Sequence, residues 1–154
     1  MKTRIVSPDI SLLIARVVVG AVVMAHGAQK LLGWFGGYGF AGTIDYFTRT
    51  IGLPYLLALL IIGIESFGMI ALVTGLFSRV LSAGVILIMA GAIVAEHGKF
   101  GFFMNWSGSQ GGEGVEYHLL VVALASIIVL AGPGKFSVDH ALSGRSQKIN
   151  PTSS

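Results

Sequence analysis

Cysteine is absent from the 154-residue sequence, which excludes disulfides, thiolate metal sites, iron–sulfur clusters and any thiol relay carried by the chain itself. Charge is almost as scarce. Only 11% of residues are Asp, Glu, Lys or Arg, less than half the roughly 25% with which a soluble domain solvates its surface. With 54% apolar residues and a mean hydropathy of +0.82, the chain is expected to use the lipid bilayer as its solvent. Ten Lys and Arg, spread one or two at a time, make no basic stripe, so nucleic acid is excluded as a partner. No nucleophile elbow, phosphate loop or dinucleotide fingerprint is present, and the length leaves no room for a separate catalytic domain.

What the chain does have is four apolar stretches: Ile10 to Leu32, Leu53 to Val73, Val80 to Ala95, and Leu119 to Ala131. The first three are long enough, or nearly so, to cross a bilayer as helices. The fourth has 13 residues, about 20 Å of helix, and must draw in Val115 through His118 to span. The predicted fold is an all-α membrane protein, an antiparallel four-transmembrane-helix bundle with two longer aromatic outer loops. It is read as a single domain over residues 1–142, followed by a disordered cytoplasmic tail, 143–154. A cleaved secretory signal is the rival reading of the first stretch, but Arg16 interrupts the apolar region such a signal needs.

Orientation follows from the basic residues. Lys2, Arg4, Arg79, Lys135, Arg145 and Lys148 fall on the side of both termini, against Lys30, Arg49 and Lys99 on the other. Six against three places both termini in the cytoplasm. Twelve of the fifteen aromatics then fall on the outer side, and the two outer connections are expected to fold over the bundle as an aromatic cap. Ser107 to Gly114 reads as a flexible loop. The glycines, 22 in all, suit close helix packing in lipid.

Ionisable groups in a bilayer are costly, so they face partners or water-filled sites. Arg16, His26 and Lys30 share one stripe of the first helix at 100° per residue. Glu65, near the middle of the second span, either pairs with Arg16 as a structural ion pair that fixes helix register, or bonds His26 as part of a proton path. His26, Lys30, Glu96, His97, Glu116 and His118 converge near the outer boundary and are the candidate ligand-binding residues of a polar pocket there. Three of them are histidines, but their spacing is no local ligand motif, and no metal is assigned. No catalytic residue is assigned.

The polar set and turns together resemble the DoxX family of small four-helix bacterial membrane proteins. The matching residues are Arg16 with Gly20, His26-Gly27-x-x-Lys30-Leu31-x-Gly33, Gly36-Gly37, Gly52-x-Pro54, and Glu65-x-x-Gly68 with Gly75 and Arg79. Glu116 and Gly132-Pro133-Gly134-x-x-Ser137-x-Asp139 complete them, over about Ile10 to Leu142. The resemblance implies an inner-membrane component of a quinone-linked oxidoreductase complex. Some relatives are linked to thiosulfate oxidation with quinone as acceptor, others to complexes with superoxide dismutase and a sulfurtransferase. With neither a cysteine nor a cofactor motif, electron transfer would need a bound quinone, a metal or a soluble redox partner. The alternative is a non-catalytic scaffold, or a small-solute channel, whose polar groups fix packing. Either form could be a homo-oligomer.

Overall fold

The computed structural model describes residues 7–149, with side chains through 143. Lys2, Arg4 and residues 150–154, which entered the charge and tail expectations, lie outside the described residues, as do the side chains of Arg145 and Lys148.

The described residues form helices and turns, with no strand. Helix α1, Pro8–Leu32, begins where the Ser7 hydroxyl accepts the Asp9 N–H and Pro8 supplies a ready-made first-turn φ. It ends where Gly33 enters the left-handed region at φ 73° and its N–H returns to the Ala28 carbonyl. Helix α2, Gly39–Asp45, continues into a wider π turn, Tyr46–Thr50. Helices α3, Tyr55–Gly63, and α4, Met69–Thr74, are joined by a second π turn, Ile64–Gly68, into one span of 20 residues. Helix α5 is Ser78–Ala95, α6 is Glu116–Ala131 and α7 is Val138–Ile149. Pro8–Leu32, Tyr55–Thr74 and Ser78–Ala95 are long and apolar enough to cross a membrane. Helix α6 is apolar but shorter, about 24 Å, and it does begin within the Val115–His118 extension.

Helix α1 packs against the α3–α4 span and against α6, and α5 packs against α6. Two glycines permit the first contact. A Cβ at Gly20 would lie 2.4 Å from a Val73 methyl, and one at Gly27 would lie 2.3 Å from the Glu65 carbonyl oxygen. Seven residues apart, they share one helix face, along which α1 and the second span approach to backbone contact. The core between the helices is Ala15, Val19, Val23, Met69, Leu72, Val85, Met89, Val121, Ala125 and Ile128. Outward, large apolar side chains are bare: Val94 is 88% exposed and Leu130 80%. Surfaces of that kind require lipid as their solvent.

The start of α1 and the segment around Lys135 to Asp139 meet at the Pro8 end of α1. The Asp139 carboxylate accepts the N–H groups of Phe77 and Ser78, both at 2.9 Å, and so caps α5 from α7. Asp9 accepts the Lys135 N–H at 3.0 Å. The segment expected to be a loose tail from 143 onward is helical as far as Ile149.

The two long connections are folded, though differently from the expected cap. Trp34, Phe35, Tyr38, Phe102, Phe103 and Trp106 are each more than half exposed, as rings at a membrane interface would be. Residues 101–116 are pinned rather than loose. Asn105 and Gln110 exchange hydrogen bonds of 3.0 and 3.1 Å, and the Asn105 N–H donates to Glu113 Oε2 at 2.6 Å. The first connection docks through Thr43, whose buried hydroxyl donates to the Lys30 carbonyl at 3.2 Å.

Candidate functional site

The α1 stripe delivers its polar residues to two separate places. Arg16, fully buried, donates to the Phe136 carbonyl, and its guanidinium fills the space under Gly75 that any Cβ there would occupy. Fourteen residues later Lys30 Nζ reaches Glu65 Oε2 at 2.5 Å. The expected Arg16–Glu65 pair is therefore corrected to Lys30–Glu65. Side chains lean toward the N-terminus of their own helix. Lys30 on α1 and Glu65 on the oppositely directed span lean toward each other, whereas Arg16 and Glu65 lean apart. The π turn at Ile64–Gly68 presses its Glu65–Ser66 peptide against Gly27, placing Glu65 where Lys30 can reach it.

Glu65 is 2% exposed, so its charge depends on that ammonium. Around the pair stands a run of rings. His26 lies 5.2 Å from Tyr117 between centroids, Tyr117 5.3 Å from His118, and His118 4.2 Å from His97. His97 Nδ1 is 2.8 Å from the Glu113 carbonyl oxygen. The Tyr117 hydroxyl and His118 Nδ1 are buried and have no hydrogen-bond partner in the protein. Unpaired polar atoms in so apolar a setting are costly and mark a place where a further polar group fits.

Of the six residues expected to converge, four do so: His26, Lys30, His97 and His118 lie along this run. Glu96 and Glu116 do not join it. Glu96 forms an ion pair of 2.8 Å with Lys99, and Glu116 Oε2 accepts the Met104 N–H at 3.2 Å. The Lys99 hydrogen bond holds Glu96 below the usual carboxylate range. Burial, and then the Glu96 charge, push the neighbouring Tyr46 hydroxyl above its ordinary value. Among the described residues no three His, Asp or Glu side chains are grouped to hold a metal.

Tyr117 and Ser66 are the polar residues that sequence reasoning missed. Tyr117 was counted with the interfacial aromatics, and only its place beside His118 at the start of α6 hinted otherwise. An apolar groove of about 360 Å³ lies on the other flank of α1, lined among others by Ala21, Ala25, Ala28, Trp34, Phe35 and Ser66. None of the six expected residues lines it.

A helical chain with three membrane-length apolar helices, with Arg16 and Glu65 buried inside, is a multi-pass membrane protein. The DoxX family pattern matches residues 11–98, and the chain belongs to that family. It is also 33% identical over 97 residues to the Bacillus subtilis (strain 168) protein named "Putative oxidoreductase CatD", covering 63% of this chain and 67% of the relative. No solved structure matches.

Proposed function

We propose that this protein is the inner-membrane component of a quinone-linked oxidoreductase complex, holding an apolar redox molecule at the polar cluster on its outer side. Its membrane helices are read as an antiparallel four-helix bundle with α6 as the fourth span and both termini cytoplasmic, so the Lys30–Glu65 end faces outward. The observation that carries the reading is the pair of orphaned polar atoms, Tyr117 Oη and His118 Nδ1, buried beside His26 and the Lys30–Glu65 pair. A hydrogen-bonding ligand would relieve their desolvation. These residues fit a quinone, whose carbonyl oxygens accept hydrogen bonds and whose bound form supplies two-electron, two-proton chemistry. The His26 imidazole would donate to a carbonyl oxygen, and Lys30 would contribute positive charge without leaving Glu65. The family relative's name supports redox work, and soluble redox proteins would be the partners.

The scaffold reading stays as the alternative. A solute channel is disfavoured, because the axis below the cluster is closed by Val19, Val23, Met69, Leu72, Val85, Ala125 and Ile128, all essentially inaccessible. The test is binding of a menaquinone analogue to the purified protein. His26→Ala removes a neutral donor worth about 0.5–1.5 kcal/mol and should weaken binding roughly two- to tenfold with folded yield unchanged. No binding by the wild type, or equal binding by the variant, leaves the scaffold as the better account.

A further inference from the structure

The interior of this protein is polar at two levels and apolar between them. On α1, Arg16 is followed by Val19 and Val23 before His26 and Lys30. The second span runs from Glu65 through Met69 and Leu72 to the Gly75 turn over Arg16. Helix α5 passes from buried Ser78 and Ser82 through Val85 and Met89 to His97, just beyond its end. Helix α6 descends from Tyr117 and His118 through Val121, Ala125 and Ile128. All four segments place about two turns of packed apolar side chains at the same level, roughly 10 Å of dry interior. Above that layer the rings follow one another at 4.2 to 5.3 Å as far as His97, which is only partly buried.

We infer that the buried Glu65 carboxyl, paired with the partly exposed Lys30, exchanges protons with the outer aqueous face alone, by way of His26, Tyr117, His118 and His97. The inference rests on the cluster and orientation of the proposed function, but it requires no quinone. Tyr117 and His118 each have a buried polar atom free of protein partners, open to a further hydrogen bond. No direct hydrogen bond joins neighbouring rings of the run, and each gap is of a size that one bridging water closes. When Glu65 takes up a proton, one proton leaves the outer bath and each intervening group releases one as it accepts one. The Lys30 ammonium stays charged and no electron moves. The charged and titratable groups facing the pair are His26 and Lys30 on α1, Tyr117 and His118 on α6, and His97 after α5. Glu96 is held by Lys99, and Glu116 by the Met104 N–H.

The experiment uses the full chain in sealed vesicles of one orientation and follows the infrared band of the protonated Glu65 carboxyl, assigned by its loss in Glu65→Gln. A pH jump in the outer bath should change the band promptly, and the same jump inside should not. Tyr117→Phe, which deletes one hydroxyl, and His118→Phe should slow the response about a hundredfold, because a positioned proton carrier is worth that or more. If His118→Phe does not fold, Tyr117→Phe alone decides. An inner jump as effective as the outer one overturns the inference, as does an unchanged rate in Tyr117→Phe or a band that answers neither bath. The cysteine-free sequence allows a second measurement. A thiol at His97→Cys should react with an impermeant reagent from outside, and one at Ala125→Cys from neither side. Reaction of the latter would show water in the apolar layer and overturn the one-sidedness. Neither readout involves quinone, so failure of quinone binding leaves this inference standing.

Discussion

Adding a single methyl group at Gly27 tests the seam on which the site depends. An alanine Cβ there would meet the Glu65 carbonyl oxygen at 2.3 Å, its carbon at 2.5 Å and the Ser66 nitrogen at 2.7 Å. These are backbone atoms of a packed span and cannot rotate away. Ordinary contact begins near 3.4 Å, so α1 and the π turn must separate by about 1 Å. Overpacking of that kind costs about 1–3 kcal/mol, while replacing glycine by alanine in a helix returns roughly 0.5–1 kcal/mol. The net expectation for Gly27→Ala is a loss of up to about 2.5 kcal/mol, with Lys30 drawn off Glu65. Gly63 and Gly91 supply the controls. Both are helical, and a Cβ at either meets nothing within 4 Å, so Gly63→Ala and Gly91→Ala should be neutral or stabilising. Thermal unfolding of the three variants in one detergent reads the difference directly. If Gly27→Ala proves as stable as Gly91→Ala, the close approach of α1 to the π turn is wrong, and the placement of Glu65 with it.

Lys30→Leu should lower stability by about 3–5 kcal/mol by stranding the buried Glu65 carboxylate, and Glu65→Leu by less because Lys30 is 24% exposed, with the double variant recovering part of the loss in a denaturation cycle. Arg16→Leu should add to Glu65→Leu without recovery, and coupling between those two would restore the pairing that the sequence suggested. Asp139→Ala removes the only side chain bonded to the first N–H groups of α5 among the described residues, and should cost about 1–2 kcal/mol in the same assay. Reporter fusions after Gly75 and Lys148 should be active in the cytoplasm and fusions near Gly42 and Gly111 outside. The reverse pattern at any of them breaks the orientation.

The spans were legible because lipid imposes a simple rule: long apolar helices between polar turns. Ile10–Leu32 and Val80–Ala95 each lie within two residues of the helices found. The partner of Glu65 was not legible. Depth along an ideal helix places Glu65 between Arg16 and His26; the lean of side chains toward their own N-termini counts against Arg16, but nothing in the sequence announces the π turn that widens the helix at that point. Lys30 was in view as a ligand candidate, so its use as the counter-ion of Glu65 went unread. Glu96 and Glu116 were misplaced for a different reason. Residues at helix ends find nearby backbone N–H groups or a lysine one turn away, and such local bonds outcompete a distant shared site. Tyr117 looked like one more interfacial ring, because a periodic pattern does not say which aromatic turns inward.

The contact between Arg16 and the Phe136 carbonyl joins residues 120 apart in the chain. At ribosomal rates of roughly 5–20 residues per second, the first span therefore waits roughly 6–24 s in the membrane for the group that accepts its guanidinium. Until the Gly132–Ser137 turn has been synthesised and folded back, the newborn protein carries a charge in α1 without that acceptor. A chain cut short before that turn would keep the Arg16 guanidinium without that acceptor, and so could not close the end of the bundle at which α1 begins.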